Sequence, residues 1–196
     1  MIEQIIQLDH QLFFAINNGL SNFFFDWLMP ILRNKYVWIP LYLFIIVVAI
    51  KKYKIKGVYL ILFLSATVGI ADSTSAKILK PAFERVRPCN DEALKDRVIT
   101  RVGCGSGKSF PSTHATDHFA IAVFLIAIFY QRWKPMFYLG VLWATSISFA
   151  QVYVGVHFPV DITAGALYGS LIGYIFAWLY NKYIQLPAKH VQEPKN

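Results

Sequence analysis

The chain has 196 residues, of which 56% are hydrophobic and only 15% are charged, and its formal net charge at pH 7 is +8. This length fits a single domain covering residues 1–196, and the composition excludes an ordinary soluble domain. A helix that spans the hydrocarbon core of a bilayer needs about 20 mostly apolar residues, and several segments approach that length. The basic residues lie in short segments between apolar stretches, which favours anionic lipid surfaces and phosphate groups over nucleic acid as partners.

The first part of the chain has the pattern of an amphipathic helix. Ile2–Ile16 places aliphatic and aromatic residues at helical spacing, with a glutamate and several glutamines between them. Such a helix lies in the membrane interface, and a short core helix is the alternative. Ser21–Leu32 is ambiguous and fits the beginning of the first span.

Five apolar segments have the character of membrane-spanning helices. They are Tyr36–Ile50, Gly57–Leu79, Thr113–Tyr130, Met136–Tyr153 and Asp161–Tyr180. The late half of the second segment carries Asp72 and Lys77, and polar groups at that depth are expected to face other helices or a water-filled cavity. We therefore predict an all-α polytopic membrane bundle of about five transmembrane helices plus the N-terminal amphipathic helix.

The connections between the spans indicate the topology. The polar loop from about Lys80 to Phe110 follows the second span, and another polar segment follows the fourth. Because two spans separate them, both face the same side of the membrane. The opposite side carries the lysine cluster 51–56, the pair Arg132 and Lys134, and a polar tail from Asn181. Because short loops rich in lysine and arginine stay in the cytoplasm, we expect the long loop to face the outer side of a bacterial cytoplasmic membrane.

Cys89 and Cys104 are the only cysteines, and both lie in the long polar loop. In an oxidising compartment they could form a disulfide that closes a loop of about 15 residues. Two unpaired thiols are the alternative.

The polar segment before the fifth span contains His157 and Asp161, with Pro159 between them. Proline is well tolerated in the first turn of a helix, and a spacing of four residues places two side chains on one helix face. Asp161 is then expected to accept a hydrogen bond from one ring nitrogen of His157, which leaves the other nitrogen free as a base or nucleophile. A structural role would be favoured for an isolated histidine, but two further polar segments accompany this one.

The second polar segment, Pro111-Ser112-Thr113-His114, opens the third span. Exposed backbone N–H groups and the positive end of the helix dipole make such a helix start an anion site. His114 would be placed to give a proton to a departing oxygen. A plain helix cap made by Ser112 or Thr113 is compatible with that role.

Lys80 and Arg87 form the third polar segment and lie seven residues apart, although Pro81 argues against a continuous helix between them. A guanidinium group suits bidentate phosphate binding and a lysine supplies a point charge. The alternative is that both are cations at the membrane surface that meet lipid headgroups.

Other polar and small residues receive structural interpretations. Gly165, Gly169 and Gly173 form a stripe of small residues on the fifth span, which suits close helix packing. Asp117 and His118 lack the spacing of a recognisable metal site, and the sequence predicts chemistry without a metal or another cofactor.

Together the three segments resemble the signature of the type-2 phosphatidic acid phosphatase superfamily. Lys80 and Arg87-Pro88 match its first motif, a lysine, six residues and Arg-Pro. Pro111–His114 matches the second motif, Pro-Ser-Gly-His, except that Thr113 replaces the glycine. His157 and Asp161 match the third motif, in which Ser-Arg, five residues, His, three residues and Asp follow one another.

The resemblance implies an integral membrane lipid phosphatase that acts on a phosphate monoester or pyrophosphate through a phosphohistidine. It implies His157 as the nucleophile, Asp161 as its orienting carboxylate and His114 as the acid. The phosphate-binding groups would be Lys80, Arg87, Ser112, Thr113 and Gln151. Candidate substrates are phosphatidic acid, phosphatidylglycerol phosphate, undecaprenyl pyrophosphate and lipid A phosphate.

Gln151 is the main departure from the family pattern. The third motif begins Ser-Arg in the family, and its arginine helps bind the phosphate oxygens, whereas this chain has Ala150-Gln151. Losing a charge-assisted hydrogen bond costs roughly 1.5–3 kcal/mol, so the sequence predicts a site that is short of one positive charge. A weakened family member that only binds or moves lipid phosphates is therefore the alternative function. A vanadate-dependent haloperoxidase is disfavoured because those relatives are soluble.

Overall fold

The computed structural model describes residues 2–187, and within that range every regular element is helical. The helices are α1 Ile2–Asn17, α2 Phe23–Leu32, α3 Ile39–Tyr53, α4 Ile55–Thr74, α5 Lys80–Phe83, α6 Thr113–Phe129, α7 Pro135–Tyr153 and α8 Pro159–Tyr183. Single 3₁₀ turns cover Lys35–Trp38, Pro88–Asn90 and Lys95–Arg97, and a π turn covers Ser75–Leu79.

Four helical segments are long and apolar enough to cross a membrane. They are Lys35–Tyr53, Ile55–Phe83, Pro135–Tyr153 and Pro159–Tyr183. The predicted third span forms α6, whose 17 residues are at the lower end of the length that a spanning helix needs. Large apolar side chains such as Leu43, Phe44 and Leu167 remain exposed on the outer surface of the bundle, as expected where lipid is the solvent. The prediction of an all-α membrane bundle is confirmed.

The centre of the bundle is the contact between α6 and α8. Gly165, Gly169 and Gly173 of α8 lie against the backbone of α6, and a Cβ added at Gly169 would meet the carbonyl oxygen of Thr116 at 2.0 Å. Only residues without a side chain allow this approach. The small-residue stripe therefore lets α8 lie directly on α6, and the start of each helix carries site residues.

The second predicted span is longer than the sequence suggested. The helix does not end before Lys80, because the π turn Ser75–Leu79 continues it into α5, which ends at Phe83. The Lys80 N–H donates to the carbonyl of Ser75, five residues earlier. This π-type hydrogen bond makes the turn wider than an α-helical turn. Pro81, which lacks an N–H, then sits in the first turn of α5, where proline is tolerated. The prediction that the loop begins at Lys80 was therefore wrong by one helical turn.

Helix α1 forms at the predicted position, but polar residues line its buried face. Asp9, Phe13 and Asn17 are buried, whereas Ile5 and Leu12 are exposed. The Asn17 side chain donates to the carbonyls of Ile99 and Tyr153 at 2.9 and 2.8 Å. This face of α1 is thus fixed to the bundle, and the aliphatic face points away from it.

The long loop is tied to the bundle by an arginine and a disulfide. Arg101 pairs with Asp26 of α2 and donates to the Tyr153 carbonyl at the end of α7 at 2.9 Å. Cys89 and Cys104 are joined by a disulfide with a Cα–Cα distance of 6.0 Å. The loop therefore forms a fixed cover at the end of the bundle where α6 and α8 begin.

The opposite end of the bundle carries the basic connections. Lys56 donates to the Gln185 carbonyl at 2.9 Å, and Arg132 donates to the Leu186 carbonyl at 3.0 Å. The predicted polar tail begins later than expected, because α8 continues to Tyr183. The rest of that tail, beyond residue 187, lies outside the described residues.

Candidate active site

His157 and Asp161 meet at the start of α8. His157 lies before the helix, Phe158 is its N-cap, and Asp161 stands in the first turn. The Phe158 N–H donates to Asp161 Oδ2 at 2.8 Å, which is half of a capping box, and the same oxygen lies 3.4 Å from His157 Nδ1. The two side chains are thus brought together by the cap and not, as the sequence interpretation had it, by stacking on one helix face.

The 3.4 Å contact is long for a hydrogen bond. Catalytic hydrogen bonds are often long without substrate and tighten when it binds. In this geometry Nδ1 faces the carboxylate, so Nε2 is the ring nitrogen left for chemistry.

Arg85 holds Asp161 in place. It donates to Asp161 Oδ1 at 2.8 Å and to Asp9 Oδ2 at 2.6 Å, and its guanidinium carbon lies 4.1 Å from the centre of the Phe158 ring. Both carboxylate side chains are essentially inaccessible to solvent. One arginine therefore neutralises two buried charges and connects α1 to the start of α8.

Burial controls the charge of His157. The side chain is 3% exposed, and this desolvation lowers the pKa of His157 to about 4, against the opposing effect of Asp161. The positive charges of Arg87 and Lys80 lower the pKa of His157 further, so both groups are near the ring. At neutral pH the imidazole is uncharged, which is the form a nucleophile requires.

The start of α6 lies beside the start of α8. Ser112 is the N-cap, and its Oγ accepts from the Ala115 N–H at 3.5 Å. The Ser112 N–H donates to the Asp161 carbonyl at 3.0 Å, so it is already used and does not face an anion. Thr113 and His114 follow in the first turn, where backbone N–H groups have no intrahelical partner.

Thr113, which replaces the family glycine, lies with its Oγ1 3.2 Å from the Ser75 Oγ. The extra side chain of Thr113 is thus accommodated by a hydroxyl contact with the π turn. His114 interacts electrostatically with His157 and Arg87, which places it at the same end of the bundle.

Lys80 and Arg87 are held by carbonyls of the long loop. Lys80 Nζ donates to the Lys108 carbonyl at 2.7 Å and to the Ser109 carbonyl at 3.3 Å. Arg87 Nε donates to the Gly107 carbonyl at 2.8 Å. Each cation is therefore positioned by neutral carbonyl oxygens, which do not compensate its charge, as an anion site requires.

Gln151 is fully buried in the last turn of α7. Its backbone carbonyl accepts from the N–H groups of Val156 and His157 at 3.2 and 3.3 Å, so its position is fixed relative to His157. Its side-chain Oε1 lies 3.3 Å from Arg33 Nε. Arg33 follows directly after α2.

An apolar groove of about 510 Å³ lies between α3, α4 and α6. Tyr42, Ile45, Leu64 and Ile121 are among its lining residues, and Asp117 and His118 of α6 lie on its wall. These last two residues follow His114 by about one helical turn. The groove thus brings apolar space close to the polar end of the bundle.

The structure brings all of the predicted site residues to the end of the bundle where α6 and α8 begin. Sequence reasoning assigned no function to Arg85, Asp9 or Arg33. Arg85 stands two residues before Arg87 in the sequence, and this proximity to a predicted site residue was the signal that could have indicated Arg85. Asp9 and Arg33 lie far from the motifs along the chain, and only the docking of α1 and α2 places them here.

The comparisons with known proteins agree with the fold and the motifs. The PAP2 superfamily profile matches residues 56–185. A lipid A 4'-phosphatase of Bacteroides thetaiotaomicron is 35% identical over 185 residues, which cover 93% of this chain and 81% of the relative. An undecaprenyl-diphosphatase of Sulfolobus acidocaldarius is 28% identical over 180 residues, which cover 88% of this chain and 79% of the relative.

A solved structure shows the same fold. The transmembrane PAP2-type phosphatidylglycerolphosphate phosphatase of Bacillus subtilis superposes with a TM-score of 0.71 at 20% identity, covering 92% of this chain and 88% of that one.

This chain belongs to the PAP2 superfamily. The predictions of this family and of an integral membrane lipid phosphatase are confirmed.

Proposed function

We propose that this protein hydrolyses the phosphate of a membrane lipid through a phosphohistidine intermediate at His157. The observation that carries the proposal is the buried contact between His157 and Asp161, which lies beside His114 and two cations, Lys80 and Arg87. A neutral, oriented imidazole next to fixed positive charge is what attack on a phosphate ester needs.

In the first step, Nε2 of His157 attacks phosphorus and the bond to the leaving oxygen breaks. Asp161 accepts the hydrogen bond of Nδ1–H and stabilises the positive ring that forms. The protonated form of His114 gives a proton to the leaving oxygen and becomes neutral. In the second step, His114 takes a proton from water, the water oxygen bonds to phosphorus, and the phosphorus–nitrogen bond breaks to release phosphate and neutral His157.

Fixed donors would hold the phosphoryl oxygens throughout both steps. Lys80 and Arg87 supply charge, and the N–H groups of Thr113 and His114 at the start of α6 supply the anion site of a helix start. Ser112 shapes that helix start as its cap, and Gln151 faces the same end of the bundle. These groups are preorganised by loop carbonyls and helix caps, so they stabilise developing charge without reorganising.

We propose a lipid A phosphate as the first substrate to test. The support is the 35% identity to a protein named for the 4'-phosphate of lipid A, over nearly the whole chain. Undecaprenyl diphosphate is the second, because a 28% identical relative is named for it. The apolar groove beside α6 offers space for a lipid chain near His114.

We propose that the site faces the outer side of the bacterial cytoplasmic membrane. The disulfide between Cys89 and Cys104 lies in the loop on the site side, and disulfides persist in oxidising compartments. The lysine cluster 51–56 lies at the other end of the bundle, which is the arrangement expected for cytoplasmic loops.

Phosphate release by the purified protein in detergent tests the function. We expect release from lipid A or undecaprenyl diphosphate, and His157→Ala is expected to abolish it while the protein still elutes as a folded species. The panel consists of the four candidate substrates named in the sequence analysis. If the protein binds these lipids but releases phosphate from none of them, the alternative of a protein that only binds or moves lipid phosphates is favoured.

A further inference from the structure

The position of the family arginine is occupied by Gln151, and the structure shows what its side chain contacts. Gln151 Oε1 accepts from Arg33 Nε at 3.3 Å. Its Nε2 has no hydrogen-bond partner among residues 2–187. The side chain is fully buried, and a buried amide N–H without a partner is costly unless a ligand supplies an acceptor.

Arg33 is held at this place by the docking of α2 on α7. Met29 of α2 packs with Tyr153 and Val154 at the end of α7, and the Arg33 N–H donates to the Met29 carbonyl at 3.2 Å. Gln151 then engages only the Nε of Arg33. Within the described part of the chain, neither terminal nitrogen of Arg33 has a hydrogen-bond or ion-pair partner.

Among residues 2–187, no carboxylate forms an ion pair with Arg33. Burial lowers the pKa of Arg33, and the positive charge of Arg87 lowers it further, so two half-buried guanidinium groups lie near each other. Arg33 also interacts electrostatically with His114. Like charges at close range in a partly buried site are unfavourable, and a bound phosphate between them would remove that cost.

We propose that Arg33, held by Gln151, is a phosphate-binding residue that replaces the missing family arginine. Its free guanidinium edge donates to the phosphoryl oxygens of the lipid substrate or of orthovanadate, and the Gln151 Nε2 donates beside it. The part of this inference that concerns the lipid substrate rests on the proposed function. The part that concerns binding of an inorganic anion such as orthovanadate does not. The proposal thus replaces the sequence-based expectation that the site is short of one positive charge.

The test measures the binding of orthovanadate as thermal stabilisation of the purified protein in detergent, a readout that needs no turnover. Arg33→Gln is expected to weaken vanadate binding roughly 10- to 100-fold, the range for a lost hydrogen bond to a charged group. Arg33→Lys is expected to lose less, because the charge remains while the fork is lost. Arg97→Gln is the control, since Arg97 is an exposed arginine of the long loop and not one of the proposed site residues, and this variant should bind vanadate like the wild type.

The rescue experiment separates phosphate binding from a structural role. Gln151→Arg in the Arg33→Gln background is expected to recover vanadate binding, whereas Gln151→Arg alone should not tighten it, because two arginines would then compete for one place. Vanadate affinity of Arg33→Gln within twofold of the wild type would overturn the proposal, and so would failure of the double variant to recover binding. Tight vanadate binding without phosphate release would leave this inference standing and count against the proposed function.

Discussion

The guanidinium of Arg85 and the buried carboxylate of Asp161 form a partly buried ion pair at 2.8 Å, and the other oxygen of that carboxylate faces His157. Arg85 also pairs with Asp9 of α1. The orientation of the catalytic carboxylate therefore depends on an arginine from the loop and, through it, on the N-terminal helix.

Replacing Arg85 by glutamine is expected to reduce both activity and stability. Two buried carboxylates would lose their partner, and breaking such a pair costs about 3 kcal/mol or more. We expect a lower unfolding temperature and a fall in kcat of roughly tenfold or more, since 1.4 kcal/mol corresponds to tenfold. Lys95→Gln is the control, because its pair with Glu92 at 2.5 Å is exposed and such pairs contribute less than about 1 kcal/mol. Equal behaviour of the two variants would contradict this role of Arg85.

The disulfide predicts a labelling pattern in intact cells. A thiol reagent that does not cross membranes should label Cys89 and Cys104 only after mild reduction, because both sulfurs are paired in a loop that we place outside. The double serine variant should lose about 3 kcal/mol of stability, the chain-entropy figure for a loop of this size. Labelling of both cysteines without reductant would argue against the disulfide, and labelling only after the cells are opened would argue against the outward orientation.

The pH dependence of kcat/KM is expected to lack an acid limb near the ordinary histidine pKa. Burial lowers the pKa of His157 to about 4, and attack requires the neutral ring. The ring therefore stays reactive as the pH falls through about 6.5 and becomes protonated only near pH 4. Comparing two substrates whose phosphates have different pKa values distinguishes titration of a group on the enzyme from titration of the substrate. A loss of kcat/KM as the pH falls through about 6.5, common to both substrates, would contradict the assignment.

The contact between α6 and α8 predicts a strong effect of a single methyl group. In Gly169→Ala the new Cβ would meet the Thr116 carbonyl oxygen at 2.0 Å, so the helices must separate, and overpacking costs about 1–3 kcal/mol. Thermal unfolding in detergent measures the loss. Gly69→Ala is the matched control on α4, because a Cβ there meets nothing within 4 Å. If both variants unfold at the wild-type temperature, the direct helix contact is not present.

Much of the architecture could be predicted because its signals are local. Apolar segments of spanning length indicated the bundle, and three motifs with internal spacing indicated the family. The small-residue stripe at Gly165, Gly169 and Gly173 indicated close packing, and α8 uses it against α6.

The remaining features depend on contacts between distant segments, which periodicity does not reveal. The continuation of the second span to Phe83 depends on a π turn that accommodates Pro81. The buried face of α1 is defined by Asp9 and Asn17, whose partners lie at the far end of the chain and in the long loop. Arg33 reaches Gln151 only because α2 packs on α7. No sequence pattern near the motifs could have shown these contacts.

Trapping of a phosphorylated enzyme tests the central claim most directly. Purified protein is mixed with a lipid substrate labelled in its phosphate, quenched within milliseconds in alkali, where phosphohistidine survives, and digested for peptide mapping. We predict label on the peptide that contains His157 and no label in His157→Ala. With an aryl phosphate, His114→Ala should accumulate more label than the wild type. The aryl leaving group needs no proton, so the phosphohistidine still forms, whereas its hydrolysis needs His114 as a base. Phosphate release by the wild type with label on another residue, or wild-type turnover in His157→Ala, would contradict the account.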